Sequence, residues 1–226
     1  MNSEGFITLG DTKHRINKVG LDEFCRKIEE LFSERAIKLD LKPPSLYMIF
    51  PSLPDLQTSF LSIYESFVSS CHEHLLNTAR KLKIPLVTVN LIEPGSMLES
   101  MVCGILEQER STIISLRKNI EREDFVRLLT KIQERFRVAN ELITVFDSVV
   151  VYLPHLGLWA SNDDLLTAFR SFIRGCIKDE KRALVITVTT NKEEIDRLNL
   201  SYEKLGCIPE IFEINVLSSG RKPLHI

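Results

Sequence analysis

Glycine is scarce in this chain, nine residues in 226, and none of the nine falls in LKPPSLYMIFPSLPDLQTSF, the stretch from Leu41 to Phe60. The stretch is laid out as an apolar strand, a Pro-rich loop and a helix, so the missing glycines exclude the flexible backbone cradle by which such loops hold phosphate. Paired cysteines are missing too. Cys25, Cys71, Cys103, Cys176 and Cys207 are odd in number and contain no CxxC, which fits reduced thiols of the cytosol or nucleus and not a disulfide framework. Neither sign of charge prevails: 29 Lys and Arg stand against 31 Asp and Glu. The net charge of -2 gives no global reason to bind nucleic acid or an anionic membrane. The basic runs Lys81 to Lys83, Arg117-Lys118 and Lys181-Arg182 are short, interleaved with acids, and read as solvated helix ends. Long apolar runs are also absent. The longest, Ile143 to Leu153, is broken by Thr144, Asp147 and Ser148, and MNSEGFITLGDTKHR lacks the basic-then-apolar order of a secretory signal. A soluble protein of the cytoplasm is expected, without membrane insertion or a nucleic-acid partner.

What is present is an ordinary globular composition, 44% hydrophobic and 27% charged, with length for one sizeable core. Residues 1–17 are polar and mixed and read as an N-terminal arm. LDEFCRKIEELF spaces Leu21, Phe24, Cys25, Ile28, Leu31 and Phe32 as an amphipathic helix. Lys42-Pro43-Pro44 stops any helix. Short β-branched runs then predict strands over Leu46–Phe50, Ile84–Leu91, Leu142–Asp147, Ala183–Val188 and Ile211–Val216, with helices over Ser59–Lys83, about Met97–Arg137 interrupted by a loop or inserted turn near Arg117–Glu123, and Asp163–Ile177. Alternation of this kind predicts an α/β fold, an open and mostly parallel five-stranded sheet covered on both faces.

Six landmarks in order resemble the large subdomain of a classical AAA ATPase, the group of valosin-containing protein and the peroxisomal peroxins. Val19-Gly20-Leu21-Asp22-Glu23-Phe24 resembles its GGLDE segment, and Leu41-Lys42-Pro43-Pro44 its lead into the first strand. Phe50 to Thr58 falls where that family carries the Walker A loop GPPGTGKT, and Phe146-Asp147-Ser148 where it carries Walker B. VITVTTNKEEID, Val185 to Asp196, resembles the sensor 1 segment, and PEIFEINVLSSGRKPLHI the exit from the subdomain. The resemblance spans residues 18–226 and implies a three-layer αβα, P-loop-NTPase-like domain. It also implies a nucleotide site at Gln57, Thr58, Asp147 and Asn191.

The chemistry of that site is eroded. Gln57 stands where the family's Lys neutralises phosphate, Asp55 adds a negative charge, and Pro51 and Pro54 each remove a backbone donor. Losing the cation and gaining an anion should cost several kcal/mol of phosphate binding, on the order of an unpaired buried charge. Ser148 replaces the Glu that would polarise the attacking water, and a serine hydroxyl cannot accept that proton at neutral pH. Asp147-Ser148 also reads simply as a polar strand end capping the next turn. LNLSYEKLGCIP, Leu198 to Pro209, contains no arginine to serve as a finger, and no helical lid is expected before Ile226. The expectation is a pseudo-ATPase with no catalytic residue and no metal. No cofactor is expected, since ATP and magnesium have lost most of their binding groups. Its partners are protein subunits, AAA-ring neighbours among them, in the cytoplasm, the nucleus or at the peroxisomal membrane surface. Two alternatives are an ATPase with an atypical loop, using Thr58, Asp147 and Asn191 around magnesium, and a RecA-like non-hydrolysing scaffold subunit.

Other constellations are weaker. Cys71 and His74 share a helical face but lack two further ligands, and a solvated surface with one buried Cys is the simpler reading. Asp147, Ser148 and His155 lie within nine residues of one another, without the GxSxG elbow of a hydrolase. Trp159, Leu156 and Leu158 read as core, or as a loop that faces a ring pore or neighbour.

Overall fold

The computed structural model describes residues 5–9, 12–33, 45–52, 60–89, 130, 133–134, 136–141, 148–160, 162–178, 182–189 and 192–215. Its elements are strands β1 (Gly5–Leu9) and β2 (Thr12–Gly20), helix α1 (Leu21–Leu31), β3 (Ser45–Pro51), α2 (Phe60–Leu82) and β4 (Leu86–Thr88). They are followed by β5 (Ser148–Leu153), a 3-10 turn (Gly157–Trp159), α3 (Asp163–Lys178), β6 (Arg182–Val188), α4 (Lys192–Glu203) and β7 (Glu210–Asn215). The strands form one sheet in the order β1-β2-β7-β3-β6-β5-β4. Every neighbouring pair is parallel except the hairpin β1–β2.

Among the described residues seven strands stand where five were expected, because residues 5–9 and 12–17 of the expected arm belong to the hairpin β1–β2. Its period-two signal is half hidden: Leu9 and Ile16 are buried, while Phe6, Lys13 and Arg15 face out. Among the described residues, no helical lid follows β7, and no helix is long and apolar enough to cross a membrane.

Continuous burial explains the central strands. Leu46–Ile49, Val149–Leu153 and Ala183–Val188 are buried residue after residue, as parallel strands covered on both faces require. One cover is α1 with α2. Phe24 of α1 sits 5.8 Å from the Tyr47 ring and 5.1 Å from that of Phe212. From α2, Tyr64 donates its hydroxyl proton to the Pro154 carbonyl (2.6 Å), and Val68 accepts that of Tyr152 (3.2 Å). The other cover is α3 with α4, where Phe169 meets Tyr202 edge-on at 5.5 Å and Tyr202 Oη reaches Thr187 Oγ1 at 3.5 Å. Tyr152 pairs with Ile186, and Leu153 with Thr187. Side-chain alternation therefore sends Tyr152 to the first cover and Thr187 to the second, which makes three layers.

Helix ends are closed by local hydrogen bonds. Asn162 Oδ1 accepts the Leu165 N–H at 2.9 Å and caps α3. Both α2 and α4 end in a left-handed residue, Lys83 (φ 56°) and Gly206 (φ 71°). In each, the following amide reaches five residues back: Ile84 to the Ala79 carbonyl, and Cys207 to that of Tyr202.

Candidate functional site

In an open α/β sheet, ligands sit outside the carboxyl ends of strands where successive connections leave to opposite faces. Here β3 is followed by α2 on one face, while its neighbour β6 is followed by α4 on the other. The crevice between the carboxyl ends of β3 and β6 is the switch point of this sheet. The segments 53–59 and 190–191 leave from those two strand ends. Gln57, Thr58 and Asn191, together with Asp55 and Asp147, lie outside the described residues, so the candidate site is built from the described residues at this edge of the sheet.

Ser52, the residue after β3, is tied away from the crevice. Its N–H donates to the Ile214 carbonyl (2.9 Å) and its hydroxyl to Glu213 Oε1 (2.8 Å), whose other oxygen holds Lys18 Nζ at 3.0 Å. On β6, the Thr189 N–H and Oγ1 both donate to the Ile49 carbonyl, at 2.9 and 3.4 Å. These bonds fix the spacing of the two strand ends and occupy both hydroxyls.

The third wall is the turn after β5. Gly157 is pressed onto the end of β6 and the start of α4. A Cβ there would stand 2.5 Å from Glu194 Oε2 and 2.7 Å from the Val188 carbonyl oxygen. Only glycine permits that approach. His155 and Trp159 flank it and are both buried. Among the described residues, neither His155 Nδ1 nor Trp159 Nε1 has a hydrogen-bond partner. Burial pushes the His155 imidazole down to about 4, which leaves it neutral at physiological pH. Leu156 and Trp159 are core residues.

The strand expected over Leu142–Asp147 lies outside the described residues; the sheet strand begins at Ser148. Ser148 pairs with Arg182 at the amino end of β6, on the edge opposite Ser52. It therefore does not stand where a catalytic base would act. The carboxyl end of β5, where the resemblance places its acids, carries Leu153-Pro154-His155. Five residue steps of extended chain, about 16 Å, separate Ser148 from Leu153, so Ser148 and His155 do not meet and the hydrolase constellation dissolves. Cys71 is fully buried, and His74 is turned to Asp22 Oδ1 at 3.5 Å. Among the described residues, no group of three or more His, Cys, Asp or Glu could hold a metal ion.

Chemically, the described part of this edge offers a neutral buried imidazole, a buried carboxylate against a glycine, and two engaged hydroxyls. That set suits a fixed scaffold better than proton transfer. No protein-family model matches the chain, and no curated protein matches it.

Proposed function

We propose that this chain is a catalytically inactive, AAA-like αβα domain that works through protein contacts, as a structural or regulatory subunit of a remodelling complex. The observation that carries the reading is the end of β5. A P-loop-NTPase-like sheet needs a carboxylate there to order magnesium and an adjacent base to activate water. Pro154 and the buried, neutral His155 occupy that position. The reading is supported further by the loop sequence PSLPDLQT, with Gln57 in place of the phosphate-binding Lys and Asp55 beside it. The chain enters that sequence from the carboxyl end of β3, which borders the sheet's switch point, and this supports descent of the frame from a nucleotide site. Its residue types argue against retention of the chemistry.

Thermal unfolding with and without excess magnesium and ATP, or ADP, tests this. A ligand at about a hundred times its dissociation constant stabilises a fold by roughly 2.7 kcal/mol, a shift of a few degrees at this size. The expected result is no shift and no phosphate release. A magnesium-dependent shift would instead favour the atypical-loop ATPase, with Thr58 and Asn191 at the nucleotide.

A further inference from the structure

The two edges of the sheet are unequal. β4 is a three-residue strand, too short to template much pairing. β1 is a five-residue strand whose sequence, GFITL, holds no charge and no proline, the usual guards of an exposed edge. Among the described residues, nothing pairs with its outer side.

The register of the hairpin says which groups that outer side presents. Leu9 pairs with Thr12, Ile7 with His14 and Gly5 with Ile16. Leu9 and Thr12 close a two-residue connection, so they and every second pair exchange hydrogen bonds across the hairpin. The N–H and C=O groups of Phe6 and Thr8 therefore point outward. Phe6 is also among the most exposed large apolar residues of the described chain, at 55%. Its face of the hairpin is basic. Phe6 stands opposite Arg15 and Thr8 opposite Lys13. Both basic residues are exposed, and Lys13 Nζ lies 4.3 Å from the centroid of the Phe6 ring.

We infer that β1 is a docking edge for an extended, acidic segment of a partner protein, which adds an eighth strand to the sheet. Backbone bonds to Phe6 and Thr8 give the affinity, Phe6 offers an aromatic cross-strand contact, and the exposed Lys13 beside it selects acidic side chains on that face of the added strand. This rests on the scaffold reading and supplies its contact surface.

The probe is a fluorescein-labelled peptide, EVEVEVE, with KVKVKVK and the proline-interrupted EVEPEVE as controls. Anisotropy of the full chain is expected to show the acidic peptide binding at least tenfold tighter than either control, with amide shifts confined to β1. Thr8→Pro removes an outward N–H without breaking a bond to β2, a substitution edge strands tolerate. It is expected to unfold at the wild-type temperature and lose the peptide, while Thr8→Val keeps it. No acidic-peptide binding, or binding unchanged by Thr8→Pro, overturns the proposal. Equal binding of the lysine peptide overturns its acidic assignment. A concentration-dependent dimer abolished by Thr8→Pro would assign the edge to a second copy. Protected Phe6 and Thr8 amides in the free monomer would assign it to another part of this chain. Failure of the peptide with nucleotide still unbound leaves the scaffold reading intact, whereas ATP turnover with the peptide bound removes that reading and spares the edge.

Discussion

His155 follows a proline at the end of a fully buried strand, with its ring centroid 6.2 Å from that of Tyr64 and its pKa lowered to about 4 by desolvation. In the unfolded chain the same group titrates near 6.5. Between those values the unfolded state holds a proton that the folded state does not, so stability falls as pH drops through that window. The size is about 3 kcal/mol if the whole shift is realised. His155→Leu should remove this component: urea midpoints at pH 7 and pH 4.5 should differ less in the variant than in the wild type. An equal difference in both proteins would mean that the imidazole reaches water. Nothing in the sequence marked His155 in this way. Its neighbours Ser148 and Asp147 suggested a catalytic set, and only the strand's start at Ser148 shows that one side chain lies at each end of β5. Linear proximity is a poor guide inside a strand, where each residue carries the chain about 3.3 Å further.

Elements were more legible than sites. Apolar spacing located α1, α3 and the strands β3, β6 and β7 to within a residue or two, since each buries a continuous run or a clean helical stripe. The hairpin was missed because its exposed face is Lys13, Arg15 and Phe6, which dilutes the alternation. A strand over Ser148–Leu153 was not expected because two β-branched runs stand side by side and the acid between them fitted the family pattern as the end of the first. Helix endings show what sequence leaves open. Gly206 at the end of α4 is the residue type that a left-handed cap favours, but the same cap on α2 is filled by Lys83. A side chain at that φ costs about 1 kcal/mol relative to glycine. Lys83→Gly is therefore expected to raise stability by up to about that amount, read as a higher urea midpoint at unchanged m-value. A lower midpoint would show that the Lys83 stem contributes packing that outweighs the backbone strain.

At the scale of the molecule, protection should follow strand order and not chain order. β3 and β6 have partners on both sides and wholly buried centres at Met48, Ile49 and Ile186. Their amides should exchange only with global unfolding, while those of β1 and β4 exchange sooner through local opening. Mass-resolved hydrogen exchange would show this; earlier exchange in β3 than in β4 would contradict the sheet order. The same order has a consequence for biosynthesis. β7, made after the other strands of this sheet, is the strand that joins the first two to the third: it pairs with β2 on one side and β3 on the other. Until residues 210–215 have been translated, the amino-terminal hairpin has no place in the sheet and both flanks of the gap expose unpaired backbone. Assembly of this domain is thus a closing event that waits for the ribosome to deliver its late strand, and a nascent chain stalled short of it presents two open edges for a chaperone to shield.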